Sequence, residues 1–139
     1  MRSIILNFLL FSVMIAMLPK FSLGASPAGD SKIRGKYLVE HVAMCVQCHT
    51  PRDENGELLF DRNLRGAPVP VNSPPYPNMR WAVKAPAIAG LVGYTREQGI
   101  RLLTEGITSD GRTPNPPMPP FRLTPADAAA VVDYLRALQ

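Results

Sequence analysis

Five consecutive residues, Cys45-Val46-Gln47-Cys48-His49, place two thiols and an imidazole at the spacing C-x-x-C-H. Two thiols three residues apart at the end of a helix can each form a thioether to one vinyl group of a porphyrin. The histidine that follows is then held against the iron as the proximal ligand, which is the attachment chemistry of c-type haem. Competing uses of these residues lack their partners. A redox C-x-x-C needs a βαβ setting, and zinc needs four ligands, whereas His41 and His49 are the only imidazoles in the chain. A plain Cys45–Cys48 disulfide is the remaining alternative.

A second axial ligand must come from a short list. Met44 adjoins Cys45 and cannot reach the far face of a group tethered there. Met1, Met14 and Met17 belong to an apolar N-terminal segment, and His41 lies one turn before Cys45, on the attachment side. Met79, in Tyr76-Pro77-Asn78-Met79-Arg80-Trp81, suits packing. Met118 is the choice, because Asn115-Pro116-Pro117-Met118-Pro119-Pro120-Phe121 sets it among four prolines. Their rings fix φ and stiffen the loop, so the thioether has little freedom left to lose. His49/Met118 ligation leaves no open iron position and raises the potential, which suits electron transfer. If Met118 is not bound, the reading becomes a haem enzyme or gas sensor with an open distal position.

Three helices are expected to position these groups. The first runs from about Ser31 to Gln47, capped by Asp30 or Ser31, with Ile33, Tyr37, Val42 and Cys45 near one another at helical spacing. The second starts at the capping box Thr95-Arg96-Glu97-Gln98 and ends at Gly106. In the third, Thr124 caps, Pro125 takes the first helical position, and Asp127 sits in the first turn. Ala128, Val131, Val132, Leu135 and Leu138 give its buried stripe. Asn55-Gly56 reads as a tight turn in a small hairpin. Residues 66–94 show no convincing periodicity and begin with the Pro-rich GAPVPVNSPPYP. Three helices and such long loops make a thin core by themselves, which an apolar porphyrin would complete.

The front of the chain is a separate matter. After Met1-Arg2, Ile4 to Leu18 holds 13 apolar residues out of 15. That matches the apolar region of a signal peptide and is short for a membrane span of about 20 residues. Cleavage is expected after Gly24 or Ala25, leaving a domain over residues 25–139 and an address in the periplasm. The chain touches a membrane only if this segment stays uncleaved. The 139 residues carry a formal charge of +4, which falls to +2 once Arg2 and Lys20 are removed. Lys and Arg form no run, so a nucleic-acid partner is not expected. Two cysteines exclude a disulfide-dense scaffold. Pro and Gly make about a fifth of residues 25–139, against an ordinary ~12%.

Together these residues resemble a class I cytochrome c. The resemblance rests on Cys45, Cys48 and His49 near the start of the mature chain, the Pro-flanked Met118, and the ending Asp133-Tyr134-Leu135-Arg136-Ala137-Leu138. Three stretches are similar to the single-haem cytochrome domains that serve periplasmic dehydrogenases. They are Gly35-Lys36-Tyr37-Leu38, Gly66-Ala67-Pro68-Val69-Pro70 and Gly93-Tyr94-Thr95, whereas Ala85-Pro86-Ala87-Ile88-Ala89-Gly90 departs from that pattern. The resemblance implies an all-α fold wrapped around one covalent haem c, an electron carrier rather than an enzyme. Its redox partners would be a dehydrogenase, an oxidase or another cytochrome, met as a permanent subunit or in passing. The first and last helices would cross closely, Gly35 permitting the approach while Tyr37 or Leu38 meets Tyr134 and Leu135. A Pro-loop carbonyl, at Pro68 or a neighbour, would accept the second ring N–H of His49. Trp81 and Arg80 would approach a propionate. Arg52, Arg62, Arg65, Arg112 and Arg122 would steer an acidic partner.

Overall fold

A computed structural model describes residues 28–138. The expected signal segment, residues 1–24, and the cleavage positions after Gly24 or Ala25 lie outside the described residues. Four α-helices carry the fold: α1 (Ala28–Tyr37), α2 (Val46–His49), α3 (Arg96–Glu105) and α4 (Pro125–Ala137). One antiparallel ribbon joins them, made of β1 (Ala67–Pro68) and β2 (Lys84–Ala85). The all-α expectation holds, since a ribbon of two residues a side adds almost no sheet.

The first helix differs from its expected form. It begins at Ala28, so Asp30 lies in its first turn rather than capping it, while Arg34 and Lys36 fall in its last turn. Both signs complement the helix dipole. A π-helical turn then spans Leu38–Val42, closed by Ala43 N–H donating to the Leu38 carbonyl at 2.7 Å. Met44 breaks the path with φ +51, and Cys45 N–H reaches back to the Val39 carbonyl at 2.9 Å. The expected continuous helix to Gln47 is therefore two pieces joined by a left-handed residue.

The buried stripe also shifts. Ile33, Tyr37 and Val42 are exposed at 71%, 50% and 53%, whereas Gly35, Leu38 and Val39 are buried. The i, i+3, i+4 spacing of those three residues is the face that meets α4. Backbone proximity decides the matter: a Cβ on Gly35 would lie 2.1 Å from the Ala130 carbonyl oxygen and 2.8 Å from the Tyr134 Cβ. Only glycine lets α1 and α4 approach so closely, so the face around it is forced inward. Leu38, not Tyr37, is the residue packed into the core beside Leu135.

The other helices form as their sequences dictate. Thr95 accepts from Gln98 N–H, the Gln98 side chain accepts from Thr95 N–H, and Gly106 closes α3 at φ +74. Thr124 accepts from Asp127 N–H ahead of Pro125. Ala128, Val131, Val132 and Leu135 are buried and Leu138 is half-buried against them. Val131, Val132 and Leu135 each contribute about 1.5–3 kcal/mol by leaving water. The Asn55-Gly56 turn closes a single antiparallel bridge between Arg52 and Leu58, with Gly56 at φ +86.

Ion pairs staple the crossings at the surface. Arg34 binds both oxygens of Asp127, linking α1 to α4, and Arg96 does the same with Asp133, linking α3 to α4. Each arginine holds its partner carboxyl below the usual range. A carboxyl lowered by folding stabilises the fold fully above its unfolded value, and that contribution is lost as pH falls through the lower folded value. Acidification from neutral into the range below pH ~4 should therefore lower the melting temperature of wild type more than that of the Asp127→Asn/Asp133→Asn variant. Gly35→Val should cost about 1–3 kcal/mol or more by overpacking, seen as a lower urea midpoint. Gly29→Val, where no neighbour lies within 4 Å, should lack that steric loss.

Candidate functional site

The break at Met44 creates the site. It starts a new helical turn at Cys45, so Cys45, Cys48 and His49 stand at i, i+3 and i+4, one face of α2. All three line one cavity of about 390 Å³, inside the ~300–1,000 Å³ range of cofactor sites. Its walls are largely aliphatic, with Ile88, Leu91, Leu103, Val132 and Leu135 among them. Met118 lines the same chamber and is half-buried. The four residues singled out for binding and ligation, which span 73 positions from Cys45 to Met118, thus share one cavity.

His49 is 8% exposed and fixed at two points. Its backbone carbonyl accepts from Gly66 N–H at 2.7 Å, and its ring Nδ1 lies 2.7 Å from the Pro86 carbonyl oxygen. That carbonyl can only accept, so Nδ1 carries the hydrogen and Nε2 is left with a free lone pair. Burial pushes the ring's pKa down, with the Pro86 carbonyl acting in the opposite sense. A neutral imidazole with one nitrogen free is the form that binds a metal.

The expected acceptor at Pro68 is corrected to Pro86. The two prolines are neighbours in space because Ala67 pairs with Ala85 and Pro68 with Lys84. Pro68 therefore builds the ribbon that delivers the Pro86 carbonyl to the ring. Gly66 admits the segment: its φ is +87, and a Cβ there would stand 2.8 Å from Ala87 N. No local sequence pattern distinguishes Ala85-Pro86 from Ala67-Pro68, and only the pairing reveals which carbonyl faces the ring. Thr50, also unanticipated, is 1% exposed; it donates to Asn63 Oδ1 and accepts from Leu64 N–H, pinning the loop that follows His49.

The thiols fit covalent attachment better than redox exchange. Burial, helped by the neighbouring Cys48, pushes the Cys45 thiol up to about 11. An exchange cysteine needs the opposite shift, toward a thiolate. Among the described residues no three His, Cys, Asp or Glu side chains converge as a metal site, which leaves the zinc reading without ligands.

The remaining candidates lie outside the cavity wall or at its edge. Met79 is 42% exposed and does not line the chamber, and His41 faces out beside Tyr37. Met44 lines the rim next to Cys45. Trp81 is half-buried and donates its indole N–H to the Val71 carbonyl at 3.3 Å. Arg80 reaches a smaller polar cleft of about 260 Å³ with Tyr94, Thr108 and Asn115, which also border the main cavity. Of the expected steering arginines, Arg62 and Arg65 are exposed, while Arg52 is engaged by Gln47 and Gly56. Arg112 is paired with Asp110 and Arg122 bonds the Phe121 carbonyl.

Gly66→Ala tests the delivery of Pro86. It should destabilise the protein by more than ~1 kcal/mol, since φ is positive and space is lacking. The His49 Nδ1–H resonance should move as its hydrogen bond lengthens; an unmoved resonance would show that Gly66 does not set that bond.

The cytochrome c family model matches residues 33–139. A fructose dehydrogenase cytochrome subunit from Gluconobacter japonicus is 31% identical over 114 residues, covering 78% of this chain. The chain spans 22% of that relative's length.

Proposed function

The chain belongs to the cytochrome c family, and we propose that it moves electrons one at a time on a single covalent haem c. The observation that carries this reading is the meeting of Cys45, Cys48, His49 and Met118 in one aliphatic chamber. The haem supplies an iron that alternates between ferrous and ferric states; every other part of the task belongs to the chain. Cys45 and Cys48 hold the porphyrin by thioether bonds. His49, oriented by its Nδ1–H on the Pro86 carbonyl, would offer its free Nε2 to the iron. Met118, which lines the same chamber, would offer its sulfur as a second ligand, and such ligation would raise the potential. The aliphatic walls would exclude water and lower the dielectric around a bound iron, disfavouring its more highly charged ferric state. Arg80 lines an adjoining polar cleft that shares Tyr94, Thr108 and Asn115 with the chamber, and haem carboxylates would find donors there.

The wider setting is part of the same proposal. The relative is a cytochrome subunit of a dehydrogenase, which supports a dehydrogenase as electron donor and membership of a complex. Residues 1–24 act as a signal peptide, and residues 25–139 work in the periplasm and pass electrons to a respiratory acceptor. No helix among the described residues is long and apolar enough to cross a membrane. An open-site enzyme or gas sensor is the weaker reading, because Met118 lines the chamber that such a protein would keep free.

Met118→Ala decides between them. The variant should keep its haem and lose the Met–iron charge-transfer band, and its ferrous form should take up carbon monoxide. A band that survives the substitution would remove Met118 from the iron. Rapid carbon monoxide uptake by wild type would favour the open-site reading.

A further inference from the structure

The segment between β1 and β2 has no part in attachment or ligation, yet it is folded as a distinct arm. Its two limbs leave the ribbon together, with Val69 N–H donating to the Val83 carbonyl at 3.0 Å. Higher up, the Trp81 indole N–H ties to the Val71 carbonyl across the limbs. The tip is exposed, with Tyr76 at 66%. The base is not: Val69 and Ala82 line the main cavity, so the arm forms part of its wall.

The loop that carries Met118 has a specific weakness. Pro114, Pro116, Pro117, Pro119 and Pro120 have no N–H to give. Among the described residues, the stretch from Thr113 to Pro120 makes a single backbone hydrogen bond to another segment, with the Pro116 carbonyl accepting from Ala82 N–H at 2.7 Å. Acceptance by a carbonyl is what a proline retains, and Ala82 supplies the donor two residues before Met118.

We propose that the arm of residues 69–83 is a strap holding the Met118 loop against the cavity, with Ala82 as the positioning residue through its backbone N–H. The inference rests on Met118 as an axial ligand. The Trp81–Val71 bond keeps the limb bearing Ala82 from swinging away, so Trp81 acts one step further back. Loosening the strap raises the population in which the methionine sulfur is off the iron, without removing the sulfur itself.

Carbon monoxide measures that population, because it binds ferrous iron only when the sulfur has left. In the haem-loaded protein, Ala82→Pro deletes the N–H and should speed carbon monoxide uptake roughly tenfold, the worth of one lost hydrogen bond. Its Met–iron band should persist when cold and fade at a lower temperature than in wild type. Trp81→Phe keeps an aromatic ring, removes the indole donor, and should change both readouts in the same direction by less. It decides the matter if Ala82→Pro fails to fold. Arg34→Gln, which breaks an ion pair on the α1–α4 surface, should leave uptake unchanged and separates strap loss from general destabilisation.

Wild-type uptake rates in both arm variants would overturn the strap, as would an equal acceleration in Arg34→Gln. If wild type shows the band and Met118→Ala abolishes it while the arm variants behave as wild type, the strap fails and the ligand assignment stands. If wild type has no such band, the ligand assignment fails and the strap with it.

Discussion

A histidine buried to 8% exposure cannot leave its ring N–H unsatisfied without cost, and meeting that requirement organises half of this molecule. The Pro86 carbonyl is the partner, so residues 84–86 must lie against the turn that carries His49. The antiparallel pairing of Ala67 with Ala85 holds them there. That pairing in turn needs Gly66, whose positive φ and missing Cβ let the two segments close up. Gly66 N–H then returns to the His49 carbonyl. The circuit from His49 through Pro86, Ala85, Ala67 and Gly66 back to His49 fixes the ring in one orientation.

The second constraint is a hollow one. Helices α1, α3 and α4 cross at glycines, Gly35 against Ala130 and Tyr134, Gly99 against Leu91 and Val132. Such close crossings bring backbones together on one side of the domain. The aliphatic residues of α4 and of the Ala89–Leu91 turn line the chamber together with Cys48 and His49 of α2 and Leu103 of α3. On the proposed function a porphyrin would fill this chamber as a further apolar layer. Cofactor and core would then be one object, and losing the proposed thioethers would threaten packing as well as redox chemistry.

What was legible in the sequence follows from how local each signal is. Thr95 with Gln98, Thr124 with Pro125, and the α4 stripe are contained within one or two turns, and all three form as written. The C-x-x-C-H segment is equally local, since one helical turn suffices to align its groups. Ile33, Tyr37 and Val42 mislead because helical spacing marks a face without saying which neighbour it meets. Gly35 decides that, through contact with residues almost a hundred positions away. The break at Met44 carries no glycine to announce it; it sets Cys45 on a new turn that faces the chamber. Pro68 and Pro86 sit in the same Ala-Pro dipeptide, so register alone separates the residue that builds the ribbon from the one that serves the ring.

The two sides of the chamber are held by opposite means. Around His49, hydrogen bonds do the fixing, from Pro86, Gly66 and the Thr50–Asn63–Leu64 cluster. Around Met118, five prolines remove donors and leave stiffness in their place. Proline stiffness acts by narrowing the alternatives of the free chain, which limits the loop's shapes and does not anchor it anywhere. A rigid loop attached only at its ends, near Arg112 and Leu123, can tilt as a body. One hydrogen bond placed near its middle removes that tilt at little entropic cost, because the loop is already stiff. On the proposed function this division would suit an iron that keeps both ligands through each change of charge: the imidazole side is fixed by a hydrogen-bond network, and the thioether side by stiffness pinned at a single point.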